Sequence, residues 1–63
     1  MKTRLRALRS ERGWTQAELG QMLGVSRNSI NAIETGRYEP SLSLALLIAD
    51  LIDLYVEDIF END

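Results

Sequence analysis

Arginine, asparagine and serine open a short apolar run. Ser26-Arg27-Asn28-Ser29 stands directly before Ile30, and Asn31 follows it. Arginine carries a planar fork of donors that pairs bidentately with phosphate or with guanine, so side chains of this kind bind polyanions rather than break bonds. Six of the seven cations are arginine (Arg4, Arg6, Arg9, Arg12, Arg27 and Arg37), and Lys2 is the seventh. The chain has no histidine and no cysteine. That removes the commonest general base, the commonest metal ligand and the thiolate nucleophile. No catalytic residue, metal site or cofactor is expected, and the chain does not read as an enzyme.

The net charge of −3 argues at first against a nucleic-acid partner, but the distribution says more than the total. Residues 1–37 hold seven basic and three acidic groups, a net of +4; residues 38–63 hold seven acids and no Lys or Arg. The chain is therefore polarised into a cationic front and an anionic back. At 63 residues it is one domain at most, spanning 1–63, and small enough to be marginal unless well packed or associated. No apolar run approaches the ~20 residues of a membrane span. MKTRLRALRS lacks the apolar segment of a secretory signal, so a soluble cytoplasmic protein is expected.

Five helices with short connections account for the pattern, and the expected fold class is all-α. Thr3 to Arg12 reads as the first helix, capped by Thr3, carrying Leu5 and Leu8 inward and stopped by Gly13. Thr15-x-x-Glu18 is a capping box that opens the second, whose apolar side is Leu19, Met22 and Leu23 and whose end is Gly24. Ser26 caps the third, with Ile30 and Ile33 inward and Gly36 as terminator. Ser41 caps a fourth at about 42–52, and a short fifth covers about 56–60. Period-two alternation never runs long enough to suggest a sheet. The second and third helices, at about 15–35, are each too short to persist alone, since isolated helices below ~12–15 residues are marginal in water. One side of the pair must be packed. Gly20 permits close approach, Gly24 makes the turn, Val25 plugs the corner, and the far side of the third helix is left free.

The stretch LRSERGWTQAELGQMLGVSRNSINAIETGRYEPSLSLALLIAD, with VEDIF near the end, resembles the Cro and phage-repressor type of helix-turn-helix domain, the XRE family. Nearly the whole chain takes part, and several spaced constraints agree. The resemblance implies a bacterial or phage-encoded transcriptional regulator, repressor-like, whose third helix enters the major groove of an operator in double-stranded DNA. It places Arg27, Asn28 and Asn31 at base edges. Arg27 suits guanine, although it equally suits a phosphate, and Asn28 suits adenine. Gln16, at the start of the second helix, corresponds to a glutamine that bonds a phosphate and braces the third helix; the alternative is an ordinary helix former. Ser26 and Ser29 lie where phosphates pass, Ser29 having its own helix as the other partner. Arg37 and Tyr38 are placed like backbone-contacting residues, or are solvated loop. Arg9 and Glu34 correspond to a structural ion pair.

The C-terminal third departs from that pattern. Where such domains commonly carry glycine and serine between the last two helices, this chain has Asp53 and Tyr55. Helix 4 is thus free to run on past Asp53. It is also more apolar than one buried face requires: Leu44, Ala45, Ile48 and Ile52 suffice for a core, and Leu47, Leu51 and Leu54 form a second stripe. That stripe, with Tyr55 and Phe60, is expected to make a homodimer on a palindromic operator; the alternative is a helix buried nearly all round. A protein-interaction module of the same fold, an antitoxin or anti-repressor partner with DNA binding secondary or lost, is the competing reading, and a regulatory protein partner fits either. No effector domain fits in so short a chain, so no small-molecule effector is expected.

Overall fold

The computed structural model describes residues 2–61, so the outermost three positions of the expected 1–63 domain lie outside it. Five helices form in the expected order: α1 (Leu5–Glu11), α2 (Gln16–Leu23), α3 (Arg27–Glu34), α4 (Leu42–Ile52) and α5 (Val56–Ile59). They enclose one core of Leu5, Leu8, Leu19, Ile30, Ile33, Ala45, Ile48, Ala49, Ile52, Ile59 and Phe60, with Trp14, Leu23, Val25, Leu44, Leu51 and Val56 packed against it. Met22, expected on the apolar side of α2, is instead 45% exposed.

Local signals set the helix ends. Thr15 and Glu18 form the reciprocal capping box, the Glu18 N–H donating to Thr15 Oγ1 at 3.0 Å and the Thr15 N–H to Glu18 Oε1 at 2.9 Å. Ser26 and Ser41 each accept the N–H of the residue three positions on. Gly24 ends α2 in the left-handed conformation that glycine adopts without a Cβ clash. The most extensive helix contact joins α2 and α3. Gly20 sets it: a Cβ there would lie 2.6 Å from the Val25 carbonyl oxygen, so a side chain would push the turn outward.

Three expectations need correction. Thr3 does not cap α1 as the N-cap residue; Arg4 holds that position without a side-chain bond, while the Thr3 hydroxyl accepts the Leu5 N–H. The chain ends pair as a small antiparallel sheet, β1 (Lys2–Thr3) against β2 (Phe60–Glu61), with Thr3 opposite Phe60. Two-residue strands are too short to show alternation. Helix 5 accordingly stops at Ile59. Helix 4 does not run past Asp53: that residue turns left-handed at φ 65° and closes the helix as glycine would, at the steric cost that a Cβ brings. Tyr55 then stands at the N-cap of α5 with no side-chain cap bond.

Candidate nucleic-acid interface

Helix α3 buries Ile30 and Ile33 completely and turns its opening outward. Ser26, Arg27 and Asn28 are exposed, and neither the guanidinium of Arg27 nor the amide of Asn28 has a side-chain partner among the described residues. Ser29 is half-buried; its hydroxyl lies 3.0 Å from that of Ser26, which also accepts the Ser29 N–H. Ser26 is therefore the cap, and the Ser29 hydroxyl rests on it. Beyond the helix, Arg37 and Tyr38 are exposed on the turn that follows Gly36, and Arg37 Nε donates to Thr35 Oγ1 at 3.3 Å. The sequence-derived base and phosphate residues thus lie on α3, the start of α2 and the next loop, all on elements that the α2–α3 contact holds together.

Behind this opening lies a polar brace. Arg9 of α1 grips Glu34 of α3 with two bonds, Nε to Oε2 at 2.6 Å and Nη2 to Oε1 at 3.2 Å, and its Nη1 donates to the Trp14 carbonyl at 2.7 Å. The Glu34 side chain is 1% exposed and that of Arg9 12%, so the pair is desolvated and its geometry is two-pronged. Gln16 joins it: its Nε2 donates to Glu34 Oε1 at 3.0 Å and to Asn31 Oδ1 at 3.2 Å. Gln16 therefore braces α3 through Asn31 and Glu34. Both hydrogens of its amide are in use inside the protein, so in this state its side chain keeps no donor for a phosphate. The backbone N–H groups of the first turn of α2 have no acceptor within the helix, as at any helix start.

The other arginines take places that their sequence context does not signal. Arg12 donates to the Leu8 carbonyl at 3.0 Å and to the Ile52 carbonyl at 2.9 Å, tying the end of α1 to the end of α4. A cation one residue before a glycine terminator signals a helix-end contact, but nothing local names Ile52 as the acceptor. Arg4 Nη1 donates to the Asp58 carbonyl. Arg6 lines a polar hollow of about 350 Å³ with Arg9, Gln16, Asn31, Glu34 and Thr35. Of the leucine surface, Leu47 (54%), Leu54 (37%) and Tyr55 (74%) are exposed as expected. Leu51 is half-buried against the core, and Phe60 is 8% exposed and part of it, because β2 carries its ring inward; Phe60 leaves the candidate dimer surface. Leu46, at 53%, joins it. Among the described residues no group of acidic side chains is placed to hold a metal ion. None of the helices is long and apolar enough to cross a membrane.

A family model described as helix-turn-helix matches residues 5–59. An uncharacterized HTH-type transcriptional regulator of Methanocaldococcus jannaschii is 48% identical over 60 residues, covering 95% of this chain and 91% of its own. Another, from Bacillus subtilis, is 43% identical over 60 residues with the same two coverages. Among solved structures, the P22 c2 repressor in complex with a synthetic operator superposes with a TM-score of 0.86 at 30% identity, over 95% of this chain and 91% of that one. The restriction-modification controller protein C.AhdI of Aeromonas hydrophila gives 0.79 at 32% identity, over 90% and 83%.

Proposed function

The chain belongs to the helix-turn-helix family of the phage-repressor (XRE) type, a family of DNA-binding transcriptional regulators and not of enzymes, and from that premise we propose that it binds a palindromic operator as a homodimer. The observation that carries the reading is the opening of α3. Ile30 and Ile33 are fully buried, Gly20 fixes the helix angle, and Arg27 and Asn28 stand free at the exposed end. The P22 c2 repressor, of the same fold, was solved on operator DNA, which supports placing α3 in the major groove here. Arg27, Asn28 and Asn31 then meet base edges. Ser26, Ser29, Arg37, Tyr38 and the start of α2 at Gln16 meet phosphates, which set position without reading sequence. A second copy docks on Leu46, Leu47, Leu54 and Tyr55; a hollow of about 470 Å³ lined by Leu46, Ala49, Asp50, Asp53, Leu54 and Tyr55 receives the second copy's Tyr55 in a two-fold arrangement.

The test is selection of bound sequences from a random duplex pool, followed by titration of a selected and a scrambled duplex at several salt concentrations. The selected site is expected to be palindromic, and log affinity to fall with log salt by about 0.9 per phosphate neutralised. Asn28→Ala should cost ~1–3 kcal/mol on the selected site while relaxing one base position, and Arg37→Ala should weaken both duplexes alike and flatten the salt slope. Equal weakening of both duplexes by Asn28→Ala would reject the division of labour.

A further inference from the structure

We propose that Asn31 reads its base pair as a hydrogen-bond donor only, because its amide is locked in one orientation by Gln16 and, through Gln16, by Glu34. The proposal rests on the reading that α3 lies in the major groove.

The direction of the chain follows from the chemistry of its end. Glu34 is held by the Arg9 guanidinium through both carboxylate oxygens, so it has no hydrogen to give and only accepts. The Gln16 atom 3.0 Å from Glu34 Oε1 must then be the amino nitrogen. That same nitrogen stands 3.2 Å from the Asn31 side chain, and its second hydrogen demands an acceptor there, so the Asn31 atom is Oδ1. One carboxylate thus fixes two amides. With Oδ1 turned to Gln16, the Asn31 Nδ2 group faces away from it. Among the described residues Nδ2 has no partner, and no buried side-chain nitrogen or oxygen there lacks one, so Nδ2 is open to solvent.

A free asparagine reads adenine by presenting acceptor and donor side by side to N6 and N7. Asn31 in this state presents the amino group alone. Its match is an acceptor edge, best the paired N7 and O6 of guanine and next the O4 of thymine; cytosine, which offers only its N4 donor in the major groove, is rejected.

Asn31→Asp separates this from ordinary asparagine readout. The aspartate keeps one oxygen for Gln16 Nε2 and turns its other oxygen outward, exchanging donor for acceptor with no change of shape. Sequences are selected from a random duplex pool by the wild-type protein and by N31D. The result expected is an inversion at one position of each half-site, from guanine disfavouring cytosine to cytosine disfavouring guanine by about tenfold, with all other positions unchanged. Gln16→Leu, which frees the Asn31 amide to rotate, should blur that position without inverting it. An N31D selection identical to wild type overturns the proposal, as does adenine at the inverting position. In the free protein, side-chain amide NMR provides the second arm. The Gln16 amino hydrogens should exchange slowly with water and those of Asn31 fast. The reverse order overturns the relay even where a clear operator is selected. If instead the wild-type protein selects no sequence while the exchange order holds, DNA reading is what has failed, and donor readout falls with it.

Discussion

Glu34 is the residue on which most of the polar interior converges. Its side chain is 1% exposed, with a guanidinium on one side and the Gln16 amide on the other. Removing one member of such a pair leaves the other charge buried without a partner, at about 3–5 kcal/mol, whereas removing both leaves an apolar gap that is far cheaper. Glu34→Leu or Arg9→Met alone should therefore unfold a large fraction of a domain this small, and the double replacement should cost clearly less than the sum of the two in urea denaturation. Simple additivity would show that the pair is not coupled. Glu18 gives a surface counterpart. The backbone N–H of Thr15, and secondarily its hydroxyl, hold the Glu18 carboxyl below its ordinary value. The folded pKa lies below the unfolded one, so the capping contribution is fully present above the unfolded value and is lost as pH falls through the folded one. NMR titration of the Glu18 carboxyl should show a midpoint below that of a peptide control. Thr15→Val should return it only part way, because the backbone bond remains.

At the scale of elements, what the sequence made legible was whatever is decided within four residues. The Thr15–Glu18 box and the serine caps at 26 and 41 open α2, α3 and α4, and the glycines at 13, 24 and 36, all with φ between 73° and 78°, follow the ends of α1, α2 and α3. The exposed opening of α3 was legible for the same reason, since Ile30 and Ile33 fix which side faces in. The strand pair was not, because two residues from each end of the chain carry no periodicity and their pairing exists only once the helices between them have packed. Nor was the reach of Arg12 to Ile52, or the participation of Asn31 in the Arg9–Glu34 brace. The α4–α5 junction was half legible. The residues there signal a departure, and geometry resolves it: Asp53 takes the left-handed conformation that glycine adopts more cheaply, with its carboxylate at the negative end of the α4 dipole. Asp53→Gly should remove both costs and stabilise the fold by about 1 kcal/mol, raising the melting temperature by roughly 4–8 °C. An unchanged or lowered melting point would mean that Asp53 makes a compensating contact.

At the scale of the whole molecule the charge asymmetry becomes more selective than the sequence totals imply. Arg4, Arg9 and Arg12 spend guanidinium donors on distant groups of the fold and Arg37 only its Nε on Thr35, so among the described residues Arg6, Arg27, Lys2 and the outer end of Arg37 are the cations left for the proposed DNA partner. A site that reads two half-sites about one turn of duplex apart, ~34 Å, needs two copies, because this molecule measures only 27 Å along its longest axis. The exposed Leu46, Leu54 and Tyr55 supply a surface, and Asp50 and Asp53 beside them set its electrostatics. In a two-fold contact those four carboxylates approach one another, so added salt should strengthen dimerisation while it weakens DNA binding. Tyr55→Ser tests the surface without confusing it with the fold. Serine at the N-cap of α5 accepts a backbone N–H that Tyr55 leaves without a side-chain partner, worth about 1 kcal/mol to the monomer. The same change removes the most exposed aromatic ring from the proposed contact. Thermal unfolding should therefore show a monomer that is more stable, and sedimentation should show a dimer that is weaker. Two effects of opposite sign from one side chain are what an association surface at Tyr55 requires. A dimer as strong as wild type in a stabilised Tyr55→Ser protein would place the contact elsewhere on the molecule.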